Sequence, residues 1–270
     1  MDIDEIETWK RLTTALGWTR SSYFLMSVFI ATLLVILVVW WPLAEAYLAQ
    51  FDPNRSLWVQ IDWLLLGNFA AMSLLIMAGA DLKVDALIVL VGLFGGLAIE
   101  GWGTQTELWT YYTVERPPLW IIPAWPIASL SIDRLVRLLH RRAPEPGSKV
   151  FVVLYWAIFP TFYVLMAAFV WPTLDKSLTV LALTACALMI ASPTEHRLAV
   201  LTFVAGSGLG YFLERWGTTR YCWIYYTWQT PPLFAVLAHG MAAVAFWRVG
   251  SLVQKLPFKL FTTVTHRTRR

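Results

Sequence analysis

The run "YFLMSVFIATLLVILVVWWPLA" (residues 23–44) contains no charged residue. Few folds accept a stretch of that length. Inside a bilayer each backbone N–H and C=O must be satisfied within its own segment, so such a run is read as a membrane-crossing helix. Four more runs follow: "WLLLGNFAAMSLLIMAGA", "ALIVLVGLFGGLAI", "VFVVLYWAIFPTFYVLMAAFVW" and "LTVLALTACALMIA". Only 14% of the 270 residues are charged, against about a quarter in a soluble domain, and mean hydropathy is +0.60. The fold class expected is all-α, a polytopic helical membrane protein.

We expect about eight transmembrane helices, over 22–48, 57–79, 84–101, 118–139, 149–172, 176–193, 196–214 and 232–254. The segment "MDIDEIETWKRLTTALGWTR" has acids early, bases late and Ile3, Ile6, Trp9, Leu12 and Leu16 near helical spacing. It predicts an amphipathic helix over 1–21 lying at the membrane interface rather than a signal peptide. The first four-helix repeat is placed at 22–139, a cytoplasmic linker at 140–148, the second repeat at 149–254 and a basic cytoplasmic tail at 255–270. With the N-terminus cytoplasmic, the far side holds only Arg55, Arg116, Lys176, Arg215 and Arg220 among the basic residues. That satisfies the positive-inside rule with both termini inside, and a bacterial inner membrane is the expected location.

An internal repeat organises the chain. At an offset of 114, Gly92, Gly96, Glu100, Trp102, Gly103, Thr104, Trp109, Tyr111, Tyr112, Thr113, Pro117 and Pro118 recur as Gly206, Gly210, Glu214, Trp216, Gly217, Thr218, Trp223, Tyr225, Tyr226, Thr227, Pro231 and Pro232. An even number of spans per half inserts both halves in the same orientation, as tandem parallel repeats. The two earlier spans of each half match poorly.

Gly92, Gly96 and Glu100 lie four apart on one helix face, as do Gly206, Gly210 and Glu214. The glycines admit a close neighbour, so each glutamate is expected to face protein rather than lipid. Gly103 and Gly217 are expected to make a tight turn just past the helix, and the prolines to restart the chain as the next helix. An aromatic loop over a buried acid is a setting for protonating an alkene and holding the cation. On this reading Glu100, Glu214 and His239 are catalytic, and Trp102, Thr104, Trp109, Tyr111, Tyr112, Trp216, Thr218, Trp223, Tyr225 and Tyr226 contact substrate. The bland alternatives are a carboxylate that ties down its own loop, an interfacial aromatic belt and a satisfied buried histidine. His239 stands where the first copy has Trp125. Arg134 and Arg248, also matched by the repeat, read as topology anchors.

Other chemistries find no support in the pattern. Cys186 and Cys222 occupy non-equivalent positions, so neither a disulfide nor a metal site is assigned. The four histidines are scattered, no nucleotide loop or catalytic serine motif occurs, and no lysine lies mid-span for a Schiff base. No cofactor and no nucleic-acid partner are expected.

The segment E-x2-G-T-x-T from Glu100, with its spaced Tyr pair and following prolines, resembles the integral-membrane carotenoid hydratases of bacteria and, more distantly, the membrane lycopene cyclases. Glu107 and Thr110 stand where that family has glycines. The likeness covers Glu100 to about Trp125 and, more weakly, Glu214 to His239. It implies acid-initiated hydration or ring closure at the end of an isoprenoid, without metal or redox cofactor. Two other readings stay open at this point: an accessory or scaffold subunit of a respiratory or photosynthetic membrane complex, and a carrier with its site between the halves. The partners expected are membrane lipids, an apolar isoprenoid or pigment and other membrane subunits.

Overall fold

The computed structural model describes residues 7, 11, 13, 14, 17–143 and 149–255. Most of the predicted N-terminal amphipathic segment, part of the linker and the basic tail lie outside them. The described residues form ten helices and two short strands. These are α1 (Arg20–Val39), α2 (Trp41–Leu48), α3 (Leu57–Gln60), α4 (Trp63–Met77), α5 (Leu82–Gln105), β1 (Trp109–Tyr111), α6 (Ala124–Arg142), α7 (Lys149–Val170), α8 (Ser177–Ala191), α9 (His196–Thr219), β2 (Trp223–Tyr225) and α10 (Leu233–Lys255). Four are long and apolar enough to cross a membrane: α1, α5, α10, and α7 with the 3₁₀ turn that extends it to Thr173. Two shorter ones, α4 and α8, are equally apolar. Side chains such as Val38, Val153, Val164, Leu181 and Leu188 are well exposed on these helices, as expected of surfaces that face hydrocarbon.

Two predicted spans are interrupted. The segment 22–48 breaks at Trp40 because Pro42, in the first turn of α2, supplies no N–H to a continuous ladder. The segment 57–79 begins as α3 and restarts at Asp62, whose carboxylate caps α4 through the Leu65 N–H at 3.2 Å. The first-copy prolines do not start α6, which begins only at Ala124.

The four helices flanking the motif loops make the centre. α5 packs on α6 and α9 on α10, while α6 meets α9 and α5 meets α10. α4 and α8 reach across, α4 to α9 and α8 to α5. Shifting by 114 carries α4 onto α8, α5 onto α9 and β1 onto β2. The largest cluster of buried apolar residues lies under the strands and includes Leu108, Phe159, Phe162, Val170, Phe203 and Phe234.

Candidate functional site

The site is assembled by one short pairing. β1 and β2 run antiparallel, with Trp109 opposite Tyr225, Thr110 opposite Ile224 and Tyr111 opposite Trp223. The two motif loops are therefore one structure. The ring of Trp109 lies 5.8 Å from that of Tyr225, and Tyr111 lies 5.9 Å from Trp223.

The turn that aims each strand back at its helix differs from the expected glycine turn. α5 continues through Gly103, and the left-handed residue is Glu107 (φ 62°), matched in the second copy by Tyr221 (φ 55°). Leu108 N–H bonds the Gly103 carbonyl at 3.0 Å and Glu107 N–H bonds that of Thr104 at 3.3 Å, a Schellman cap repeated by Cys222 on Gly217 and Tyr221 on Thr218. Gly103 serves instead as space. A Cβ there would lie 1.8 Å from the indole of Trp109, and one on Gly217 would lie 2.0 Å from Trp223.

With that space open, the indole reaches the carboxylate. Glu100 Oε2 accepts from Trp109 Nε1 (3.0 Å) and Tyr111 Oη (2.9 Å), and its Oε1 from Trp125 Nε1 (3.2 Å). Glu214 Oε2 accepts from Trp223 Nε1 (2.9 Å), and its Oε1 from Tyr225 Oη (2.9 Å) while pairing with His239 Nε2 (3.0 Å). Both glutamates are 4% exposed. Among the described residues no lysine or arginine bonds either carboxylate. Burial and the adjacent carboxylates push the Tyr111 and Tyr225 phenols well above their ordinary range, so both keep the proton they donate. The rings of Trp125 and His239 stack at 5.6 Å and 20°, joining the two clusters.

Both carboxylates open into one cavity of about 880 Å³. Its wall includes Leu33 of α1, Phe69 and Met72 of α4, Phe162 and Met166 of α7 and Met189 of α8. Its lining is overwhelmingly hydrocarbon and aromatic.

Of the predicted residues, Glu100, Glu214, His239, Trp102, Trp109, Tyr111, Trp216, Trp223 and Tyr225 all line this cavity. Four do not. Thr104 and Thr218 are buried and donate to the Glu100 and Glu214 carbonyls at 2.6 Å. Tyr112 is exposed, and Tyr226 turns away to the Phe169 carbonyl at 2.6 Å. Trp102 and Trp216 line it and also clasp the opposite half. Trp102 donates to Thr179, in the first turn of α8, at 3.3 Å, and Trp216 donates to Asp62, the cap of α4, at 3.0 Å. Asp62 also takes Arg220 at 2.9 Å. Its burial raises the carboxyl, but the bonds from Arg220, Leu65 N–H and Trp216 together hold it below its ordinary value.

Sequence reasoning passed over Trp120 and Trp125 as site residues. Trp120 lines the cavity, edge-on to Tyr111 at 5.5 Å, with its indole N–H buried and unbonded. Trp125 had one signal available: it is the repeat counterpart of His239. Among the described residues no three His, Cys, Asp or Glu side chains gather as a metal site. Fold and site together define an all-α protein with apolar, membrane-length helices around a paired carboxylate centre. The chain matches no family model, no curated protein and no solved structure.

Proposed function

We propose that this chain is an integral membrane enzyme that protonates an alkene of a long apolar isoprenoid, of carotenoid type, and completes its hydration or cyclisation. One observation carries the reading. Two buried carboxyl groups, bonded among the described residues by Trp, Tyr and His alone, are the chief polar groups in a large hydrocarbon-lined cavity. Indole and phenol donors hold each group without neutralising it, and the aromatic faces around it favour a cation by about 0.5–2 kcal/mol each. Apolar lining drawn from α1 and α4 as well as from α7 and α8 suits a long polyene whose reacting end lies between the clusters. In this reading eight helices cross the membrane as two parallel four-helix repeats, α1 and α4 to α6 then α7 to α10. Both termini are cytoplasmic, which leaves the paired loops at the outer face. The distribution of Lys and Arg supports that orientation.

The test is expression in cells that make an acyclic carotenoid precursor, with pigments resolved by mass. The wild-type chain yields a product heavier by one water, or an isomer of unchanged mass. Glu214→Gln abolishes it and Glu100→Gln reduces it at least about tenfold, since each removes an ionisable group from the reacting centre. Extracts identical to those of cells lacking the chain overturn the reading.

A second reading, an accessory subunit that holds a pigment or lipid without reacting, is favoured by one fact: each carboxylate already has three partners. In that case both Gln variants lose thermal stability, no chemistry changes, and mild detergent purification brings a stoichiometric partner with the chain.

A further inference from the structure

The two copies differ at one place in the cluster. Position 125 supplies an indole, whose single N–H is committed to Glu100. Position 239 supplies an imidazole, whose two ring nitrogens can each donate or accept a proton. His239 Nε2 meets Glu214, while Nδ1 has no hydrogen-bond partner among the described residues and the ring lines the cavity. Among the described residues Glu100 meets two indole N–H groups, which can only donate, and the Tyr111 hydroxyl, so it has no imidazole to share a proton with. The groups facing His239 are Glu214 and Gly210 from α9, the Trp125 ring from α6, and Tyr225 from β2 through the shared Glu214 oxygen. Glu100 and Tyr111 lie beyond Trp125.

We propose that the copies have different jobs: Glu214 and His239 share an exchangeable proton and deliver it to the substrate, whereas Glu100, which no imidazole meets, faces the positive charge that protonation creates. This rests on the reading above. The π pair of the terminal alkene takes the proton from the pair, forming a C–H bond and a tertiary carbocation. Water then adds its lone pair to form the C–O bond, and the resulting oxonium returns its proton to the pair. If a neighbouring C=C closes a ring instead, the adjacent C–H returns it. Neither route involves a change of oxidation state in the protein. The His239 ring, which lines the cavity, is the route by which the pair is reloaded. Trp125 lies between the stations, its N–H on Glu100 and its face against the imidazole.

The experiment exchanges the two residues and reads the proton directly. The full chain labelled with ¹⁵N-histidine is titrated by NMR, with the His239 signals assigned by their loss in His239→Gln. We expect the His239 titration to change far more in Glu214→Gln than in Glu100→Gln. In the cell assay, His239→Trp lowers conversion by about 10²–10⁴-fold, the usual worth of a positioned acid, while keeping wild-type thermal unfolding. Trp125→His combined with His239→Trp restores turnover, because the proton pair now sits in the first copy. A titration unaffected by Glu214→Gln, or wild-type turnover by His239→Trp, overturns the proposal. A titration coupled to Glu214 in a chain that converts no polyene leaves the shared proton standing and overturns the substrate reading alone.

Discussion

Trp109 and Trp223 set the character of each carboxylate, because an indole N–H donates without bringing a charge of its own. A lysine there would make an ion pair and quench the acid; an indole satisfies a lone pair and leaves the charge available to a ligand. The geometry depends on a missing atom. The Trp109 ring occupies the space a side chain at position 103 would fill. Gly103→Ala therefore forces the indole off Glu100, and overpacking of this kind costs about 1–3 kcal/mol. Gly101, with nothing within 4 Å of its would-be Cβ, is the control: Gly101→Ala leaves stability unchanged. Thermal unfolding in detergent, followed by tryptophan fluorescence, checks both. Equal unfolding temperatures for the two variants would refute the packing role. Cys222 is a second residue whose reactivity is set by place. Burial pushes its thiol up to about 11, with Asp62 adding and Arg220 subtracting, so the ordinary thiol nucleophilicity is suppressed at neutral pH.

Each motif loop is built to hold the other half of the molecule, and that is a property of elements. Trp216 and Arg220, at the end of α9, grip Asp62 at the start of α4; Trp102 of α5 grips Thr179 of α8. Asp62 makes the first clasp sensitive to acid. Its carboxyl titrates below its unfolded value, so its contribution is fully present above an unfolded pKa of about 3.9 and is lost as pH falls through the folded value. Unfolding temperature should drop on acidification below about pH 4, and Asp62→Asn should flatten that part of the profile while lowering stability at pH 7. A profile of the same shape in both chains would refute it. The clasp also shows what the sequence could and could not say. The motif's carboxylate, indoles and phenols were legible because each makes a bond that other side chains cannot, so the second copy repeats them. The relation of α4 to α8 was not. The two align under the same shift of 114, yet a helix facing hydrocarbon accepts any apolar residue and retains little identity. Asp62 was overlooked for a related reason: its counterpart is Lys176, and only the packing of α4 against α9 brings it to Trp216. The Schellman turns at Glu107 and Tyr221 escaped because neither residue is the glycine that usually marks one.

At the scale of the whole molecule, the end remote from the motif is closed twice, by one arginine from each half, and the two closures differ in kind. Arg248 of α10 donates to the Met189 carbonyl and to Ser192 at 3.2 Å, covering backbone groups that the end of α8 leaves without helical partners. Arg134 of α6 sits in the corresponding place and reaches the Ile76 carbonyl of α4 at 3.5 Å. It also meets Asp85 of α5 at 2.7 Å, with the two side chains 3% and 1% exposed. The second half has Ala199 where the first has Asp85, so only the first closure is a buried ion pair. The two arginines, alike in sequence, should then respond differently to removal. Arg134→Met strands a buried carboxylate, a loss of about 3–5 kcal/mol, while Asp85→Leu costs less, because the guanidinium keeps its pair with the partly exposed Asp133. The double variant removes both charges at once and should recover most of that loss, because a buried ion pair is often no better than apolar residues of similar volume. Arg248→Met removes only hydrogen bonds to neutral groups and should cost about 1.5–3 kcal/mol at most. A double-mutant cycle by thermal unfolding in detergent measures the coupling. Additive losses at Asp85 and Arg134, or equal losses for the two arginines, would mean that the first half is closed by capping alone, as the second is.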